Sequence, residues 1–176
     1  MRVIEVGSRG GPEVLSLVER PALQPGPGQI VAEVAAAGVN YMDIYQREGV
    51  GGYRPPLPFV TGGEGAGTVV AVGEGVTAPA VGDRVAWVGP GSYAEQVVLP
   101  ADRVVPVPTG VSTEVAAAVI LQGLTAHYLV NSTYPVRPGD VSPRLHRAIF
   151  GKEWSSNGRQ GVLGHLRRRF FGGDRR

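Results

Sequence analysis

Along most of the chain, apolar and polar residues alternate in short stretches, the period-two pattern of half-buried strands. Met1 to Val6 reads as a first strand, ended by the turn formers Gly7, Gly10, Gly11 and Pro12. Val14, Leu15, Leu17 and Val18 predict a second strand, closed by Pro21 and Pro25. In the third, Ile30 to Ala37, one face carries Ile30, Ala32 and Val34 and the other Val31, Glu33 and Ala35. The pattern turns helical after Asn40, whose side chain suits an N-cap, and YMDIYQREG makes a short helix stopped by Gly49. Residues 49–58 are rich in Gly and Pro and predict a loop. The run FVTGGEGAGTVVAVGEGV reads as β, with small residues that allow close backbone packing. Asp83 to Val88, Ala94 to Leu99 and Arg103 to Val107 add short strands, and this spacing predicts a compact, barrel-like β domain. A longer helical signature starts only after Ser112, with Glu114 in its first turn and Val115, Val119 and Leu124 near helical spacing.

Composition supports a mainly β fold with short helices: 27 Gly and 15 Pro favour tight turns over long helices. The absence of cysteine excludes disulfides, thiolate nucleophiles and a thiolate zinc site. The three histidines, His127, His146 and His165, are scattered, none at metal-ligand spacing with another, so no metal is expected. No apolar run in the sequence reaches the length of a bilayer span, and the first residues lack a hydrophobic signal core. A cytoplasmic protein is the expectation. Charge divides the chain. Residues 1–140 hold eight arginines against thirteen acids, whereas residues 141–176 hold nine Lys or Arg against Glu153 and Asp174. Such asymmetry points to two segments of different origin or role.

The segments GVNYMDIYQREG, TGGEGAGTVVAVG, VGDRV and ILQGLTAHYLV, in that order, resemble the medium-chain dehydrogenase/reductase superfamily. Within it they are closest to the zinc-independent NADPH:quinone oxidoreductases, the zeta-crystallin-like branch. The resemblance covers residues 1–140 and implies a GroES-like (alcohol dehydrogenase N-terminal-like) β domain over 1–125. Residues 126–140 would then begin the connection to a Rossmann domain that this chain lacks, and 141–176 form a basic, poorly ordered tail. In zinc-dependent members a His ligand occupies the place of Gly63, which offers no donor.

The resemblance further implies hydride transfer from NADPH to a quinone or enone. It places Asn40, Tyr45 and Tyr53 at the substrate and nicotinamide pocket as candidate catalytic residues. Tyr41, Met42, Asp43, Ile44 and Tyr45 would pack along the cofactor, and Gln122, Thr125 and Tyr128 would also approach it. Amide and phenol groups orient a carbonyl oxygen without fixing a charge there, which suits an already electrophilic quinone. The residues also admit plainer readings. Asn40 can serve as a cap alone, Asp43 as a structural hydrogen-bonding residue, Glu64 as a buried acid paired with an Arg, and Tyr53 as loop packing beside Pro55 and Pro56. Thr125 and Tyr128 stand one helical turn apart, as ordinary helix packing would have them. His127 reads as a solvated or core histidine.

After VRPGD the family pattern stops. Members continue into a buried strand and a glycine turn that presents a helix N-terminus to the pyrophosphate. Gly158, Gly161 and Gly164 follow no apolar strand and do not make that turn. The expectation is a catalytic domain inactive alone, with the family's homodimerisation not carried over. A frame-shifted or truncated gene product accounts best for residues 141–176. A disordered basic appendage is a second account, and a single Arg cluster is poor ground for expecting a nucleic-acid partner. Two alternatives to quinone reduction stay open: an enoyl-thioester or other double-bond reductase of the same superfamily, in which Tyr53 would protonate carbon, and a non-catalytic GroES-like remnant or binding module.

Overall fold

The computed structural model describes residues 1–133. The connection after residue 133, the basic tail and its glycine triplet lie outside the described residues. In chain order the strands are β1 (Arg2–Val6), β2 (Leu15–Glu19), β3 (Gln29–Ala37), β4 (Phe59–Val60), β5 (Glu64–Val72), β6 (Arg84–Val88), β7 (Gln96–Pro100) and β8 (Val104–Pro106). Helix α1 spans Tyr41–Glu48 and α2 spans Thr113–Tyr128, continued by a π-helical turn over Leu129–Thr133. Met1–Leu121 form one compact unit, and the chain from Gln122 onward belongs to a second.

The short strands that the sequence predicts assemble into two antiparallel sheets, ordered β2-β1-β4 and β7-β3-β5-β6-β8. A bridge between Val3 and Ala94 joins them, and Ile4 N–H donates to the Tyr93 carbonyl at 2.8 Å. The run from Phe59 that the sequence pattern reads as one β segment breaks at Thr61, Gly62 and Gly63, because the chain changes sheets there. β4 pairs with β1 in the first sheet, while β5 pairs with β3 and β6 in the second. Gly62 makes the crossing at φ +97°, a conformation open to glycine, and a Cβ there would lie 2.7 Å from the Tyr93 backbone nitrogen. The crossing is tied to the 89–93 turn by Tyr93 N–H to the Thr61 carbonyl (3.0 Å) and Gly91 N–H to the Gly62 carbonyl (2.9 Å).

The core of the larger sheet is Ile30, Ala32, Val69, Val85, Trp87, Val97 and Leu99, all nearly or fully buried. These are the inward positions of four neighbouring strands, as the alternation in the sequence predicts. Trp87 satisfies its indole N–H on Ser92 Oγ at 3.1 Å, so its burial leaves no orphan donor. Two register shifts curl the β3–β5 pair, one at Val31/Ala32 and one at Val34/Ala36. The second brings β3 to its end close to the start of α1, where the site lies.

Candidate active site

Asn40 holds an extended conformation (φ −127°, ψ 152°) between β3 and α1, and with Asp43 forms the capping box of the helix. Its backbone N–H donates to Asp43 Oδ2 at 2.8 Å. The Asn40 side-chain amide is turned toward the second sheet, donating from Nδ2 to Glu64 Oε1 at 2.7 Å. Glu64 Oε2 accepts the Leu121 N–H at 2.9 Å, so this carboxylate ties the first residue of β5 to the N-cap of α1 and to the middle of α2. Glu64 is 1% exposed. Its burial agrees with the sequence reading, and the two hydrogen bonds described for it come from neutral donors. Gly38 makes room for it: a Cβ there would lie 2.2 Å from Glu64 Oε1.

Asp43, 6% exposed, receives a second hydrogen bond on Oδ2 from the Tyr93 hydroxyl at 2.9 Å. Its Oδ1 is buried with no hydrogen-bond partner among the described residues, facing Gly63, where a Cβ would sit 3.6 Å away. The Tyr93 phenol is pushed well above its ordinary value of 10.0, first by burial, then by its hydrogen bond to Asp43 and the negative charges of Asp43 and Glu64. Below pH 10 the phenol is protonated in the folded and unfolded chain alike, and its contribution to stability is complete. Above that pH the unfolded chain releases the proton while the folded one holds it, so stability falls as pH rises toward the folded value. Tyr93→Phe is expected to cost about 1–2 kcal/mol at neutral pH, from the lost bond to a charged acceptor. Urea melts at pH 8 and pH 11 check this: the gap between wild type and variant should narrow at the higher pH, and a constant gap would contradict the geometry.

Outside this buried network stands an aromatic face. Tyr41, Tyr45 and Tyr53 are 77%, 43% and 45% exposed. The Tyr41 and Tyr45 ring centroids lie 6.5 Å apart and those of Tyr45 and Tyr53 6.0 Å apart, each pair tilted by 32°. These separations fall within the range of direct ring contact. The i, i+4 spacing on α1 sets the first pair, and the 50–56 loop folds back to supply the third ring.

The structure therefore separates the candidate residues into groups. Asn40 and Asp43 lie in the buried network, Tyr41, Tyr45 and Tyr53 form the exposed ladder, and Met42 and Ile44 are half-buried between them along α1. Gln122, Thr125 and Tyr128 lie on α2 in the second unit, Gln122 half-buried and the other two exposed. His127 is exposed. Among the described residues no three His, Asp or Glu side chains converge as metal ligands. Sequence reasoning missed Tyr93. It sits in a GSYAE turn whose only local signal is a glycine, and its partner is fifty positions away.

Comparison with known proteins bears on the fold and the family. Residues 26–109 match the model of the alcohol dehydrogenase GroES-like domain. The chain is 45% identical over 141 residues to a quinone oxidoreductase of Pseudomonas aeruginosa, an alignment covering 78% of this chain and 43% of that protein. A mycobacterial structure complexed with NADPH superposes with a TM-score of 0.75 at 50% identity, covering 80% of this chain and 44% of that one. The Escherichia coli quinone oxidoreductase complexed with NADPH gives 0.76 at 40% identity, over 80% and 43%. The chain thus spans less than half the length of the relatives it matches. With four ordered motifs, the two-sheet fold and these likenesses in agreement, the chain belongs to the quinone oxidoreductase family of the medium-chain dehydrogenases/reductases, and what it matches is that family's N-terminal, GroES-like portion.

Proposed function

We propose that the face built by Tyr41, Tyr45 and Tyr53 receives a planar carbonyl acceptor of the quinone type, as part of an NADPH-dependent reductase. The observation that carries this reading is the continuous tyrosine ladder standing directly outside a buried hydrogen-bonded network. Three neighbouring tyrosine rings offer apolar faces together with phenol hydroxyls, which suit a planar ring bearing carbonyl oxygens. Asn40 serves as a positioning residue in this reading: its amide on Glu64 and its backbone on Asp43 fix where α1 begins, and so where the ladder stands.

NADPH, when bound, would supply the hydride. The exposed tyrosine rings and the α1 stretch Tyr41 to Tyr45 suit its nicotinamide end. Every strand pairing among the described residues is antiparallel, so they contain no parallel βαβ unit to hold the pyrophosphate. Gln122, Thr125 and Tyr128 belong to the proposal as further cofactor contacts, as do a catalytic-domain boundary near residue 125 and a cytoplasmic setting. Calorimetric titration with a soluble 1,4-naphthoquinone tests the reading. Tyr45→Ala, which removes the central ring, should weaken binding about fivefold, the worth of one aromatic contact. Absence of quinone binding by the wild-type chain, or equal binding by the variant, would refute the reading.

A further inference from the structure

Arg9, in the connection between β1 and β2, sends its side chain across to two segments distant in sequence. Its Nη1 donates to the carbonyl of Gln46 in the last turn of α1, and its Nη2 to the carbonyl of Pro55 in the loop that carries Tyr53. The guanidinium carbon stands 5.5 Å from the Phe59 ring centroid, a cation–π contact that fixes the plane of the fork. Its aliphatic stem passes over Gly49, where a Cβ would lie 3.1 Å from Arg9 Cδ and 3.3 Å from Nε. Gly49 is left-handed (φ 72°) and ends α1, so glycine both turns the chain and clears the path for the arginine. Among the described residues Arg9 has no carboxylate partner; its charge faces the C-terminal end of α1, where the helix dipole favours a cation.

The same loop is braced at its other end. Arg54 Nε donates to the Gly49 carbonyl at 2.7 Å, and Tyr53 N–H to the Val50 carbonyl at 3.0 Å. Between these ties stand Tyr45, one residue before Gln46, and Tyr53, two before Pro55. A planar fork donating to two carbonyls sets their separation more strictly than a single flexible bond would. We propose that Arg9 is a positioning residue that holds Tyr53 against Tyr45 and thereby sets the spacing of the aromatic face. The proposal rests on the reading of that face as a planar-acceptor site; its structural half can be tested without that reading.

The test compares Arg9→Lys and Arg9→Ala with Arg47→Ala in the full chain. Arg47 also braces α1, through Nε to the Gly10 carbonyl at 3.0 Å, but makes no tie to the Tyr53 loop, so it controls for general destabilisation. Two quantities are read: the ring-proton NMR shifts of Tyr45 and Tyr53, and calorimetric affinity for a soluble 1,4-naphthoquinone. Both Arg9 variants should move the two tyrosine signals toward unstructured values and weaken binding about fivefold, as loss of preorganisation does, whereas Arg47→Ala should leave both unchanged. If Arg9→Ala does not fold, Arg9→Lys decides, since it keeps the stem over Gly49 and loses the two-carbonyl fork. Unchanged tyrosine shifts in a folded Arg9 variant, or equal changes in Arg47→Ala, would overturn the proposal. Should the wild-type chain bind no quinone, the acceptor reading fails, and the tyrosine shifts alone judge the positioning role.

Discussion

Gly67→Ala is expected to lower the unfolding free energy by about 3 kcal/mol, at the upper end of what overpacking costs. The reason lies in the bulge of β3. Val34 pairs with Gly67 and Ala36 with Ala66, so Ala35 is an extra residue that pushes the β3 backbone onto β5. A Cβ at Gly67 would lie 1.9 Å from the Glu33 carbonyl oxygen and 2.9 Å from its carbon. The obstacle is backbone in the centre of a five-stranded sheet and cannot rotate away as a side chain would. Gly7→Ala provides the control, because no atom lies within 4 Å of the added methyl and the residue is exposed. Urea unfolding should show a large fall in midpoint for the first variant and almost none for the second. Equal midpoints would mean that the two backbones do not approach so closely. Since the bulge lies on the stretch of β3 that leads into α1, the variant should also disturb the tyrosine ladder.

Glu64→Leu is expected to cost about 3 kcal/mol, because the change removes the acceptor of two donors at once. The Asn40 amide and the Leu121 N–H both end on this carboxylate, and leucine of similar volume offers neither a partner. Glu64→Gln should cost only about 1 kcal/mol: the new amide keeps an oxygen for Leu121, and Asn40 accepts the new N–H by reversing its amide at the expense of its side-chain share in the capping box. Amide hydrogen exchange supplies a second readout, with protection at Leu121 lower in the leucine variant than in the glutamine one. A leucine variant as stable as the glutamine variant would show that the buried carboxylate does not hold the network together. The outcome bears on function, because Glu64 is the group through which Asn40 is anchored at the start of α1.

Both residues illustrate how far local pattern reaches. The glycines of TGGEGAGTVV read from the sequence as sites of close backbone packing, and Gly67 and Gly62 have that role. Which backbone approaches them follows from register, and register depends on pairing across more than thirty residues. Glu64 likewise reads as a buried acid from its apolar, Gly-rich surroundings. Its partners could not be read, because Asn40 and Leu121 lie twenty-four positions before it and fifty-seven after it.

The sequence by itself determined the mainly β character and the two helices with their starts after Asn40 and Ser112, because alternation, caps and turn formers act over a few residues and leave local traces; the family came from the resemblance of four ordered motifs. Tyr41 and Tyr45 stand four residues apart in the sequence, and the helix that forms over them turns that spacing into one face. Tertiary structure decided the rest. The change of sheet at Gly62, the hydrogen bond from Tyr93 to Asp43, the return of Tyr53 to Tyr45 and the reach of Arg9 to Gln46 and Pro55 all depend on chain segments far apart in sequence. Such contacts arise only when buried polar groups must find partners and the loops close around them, and no periodicity in the chain records which partner each will find.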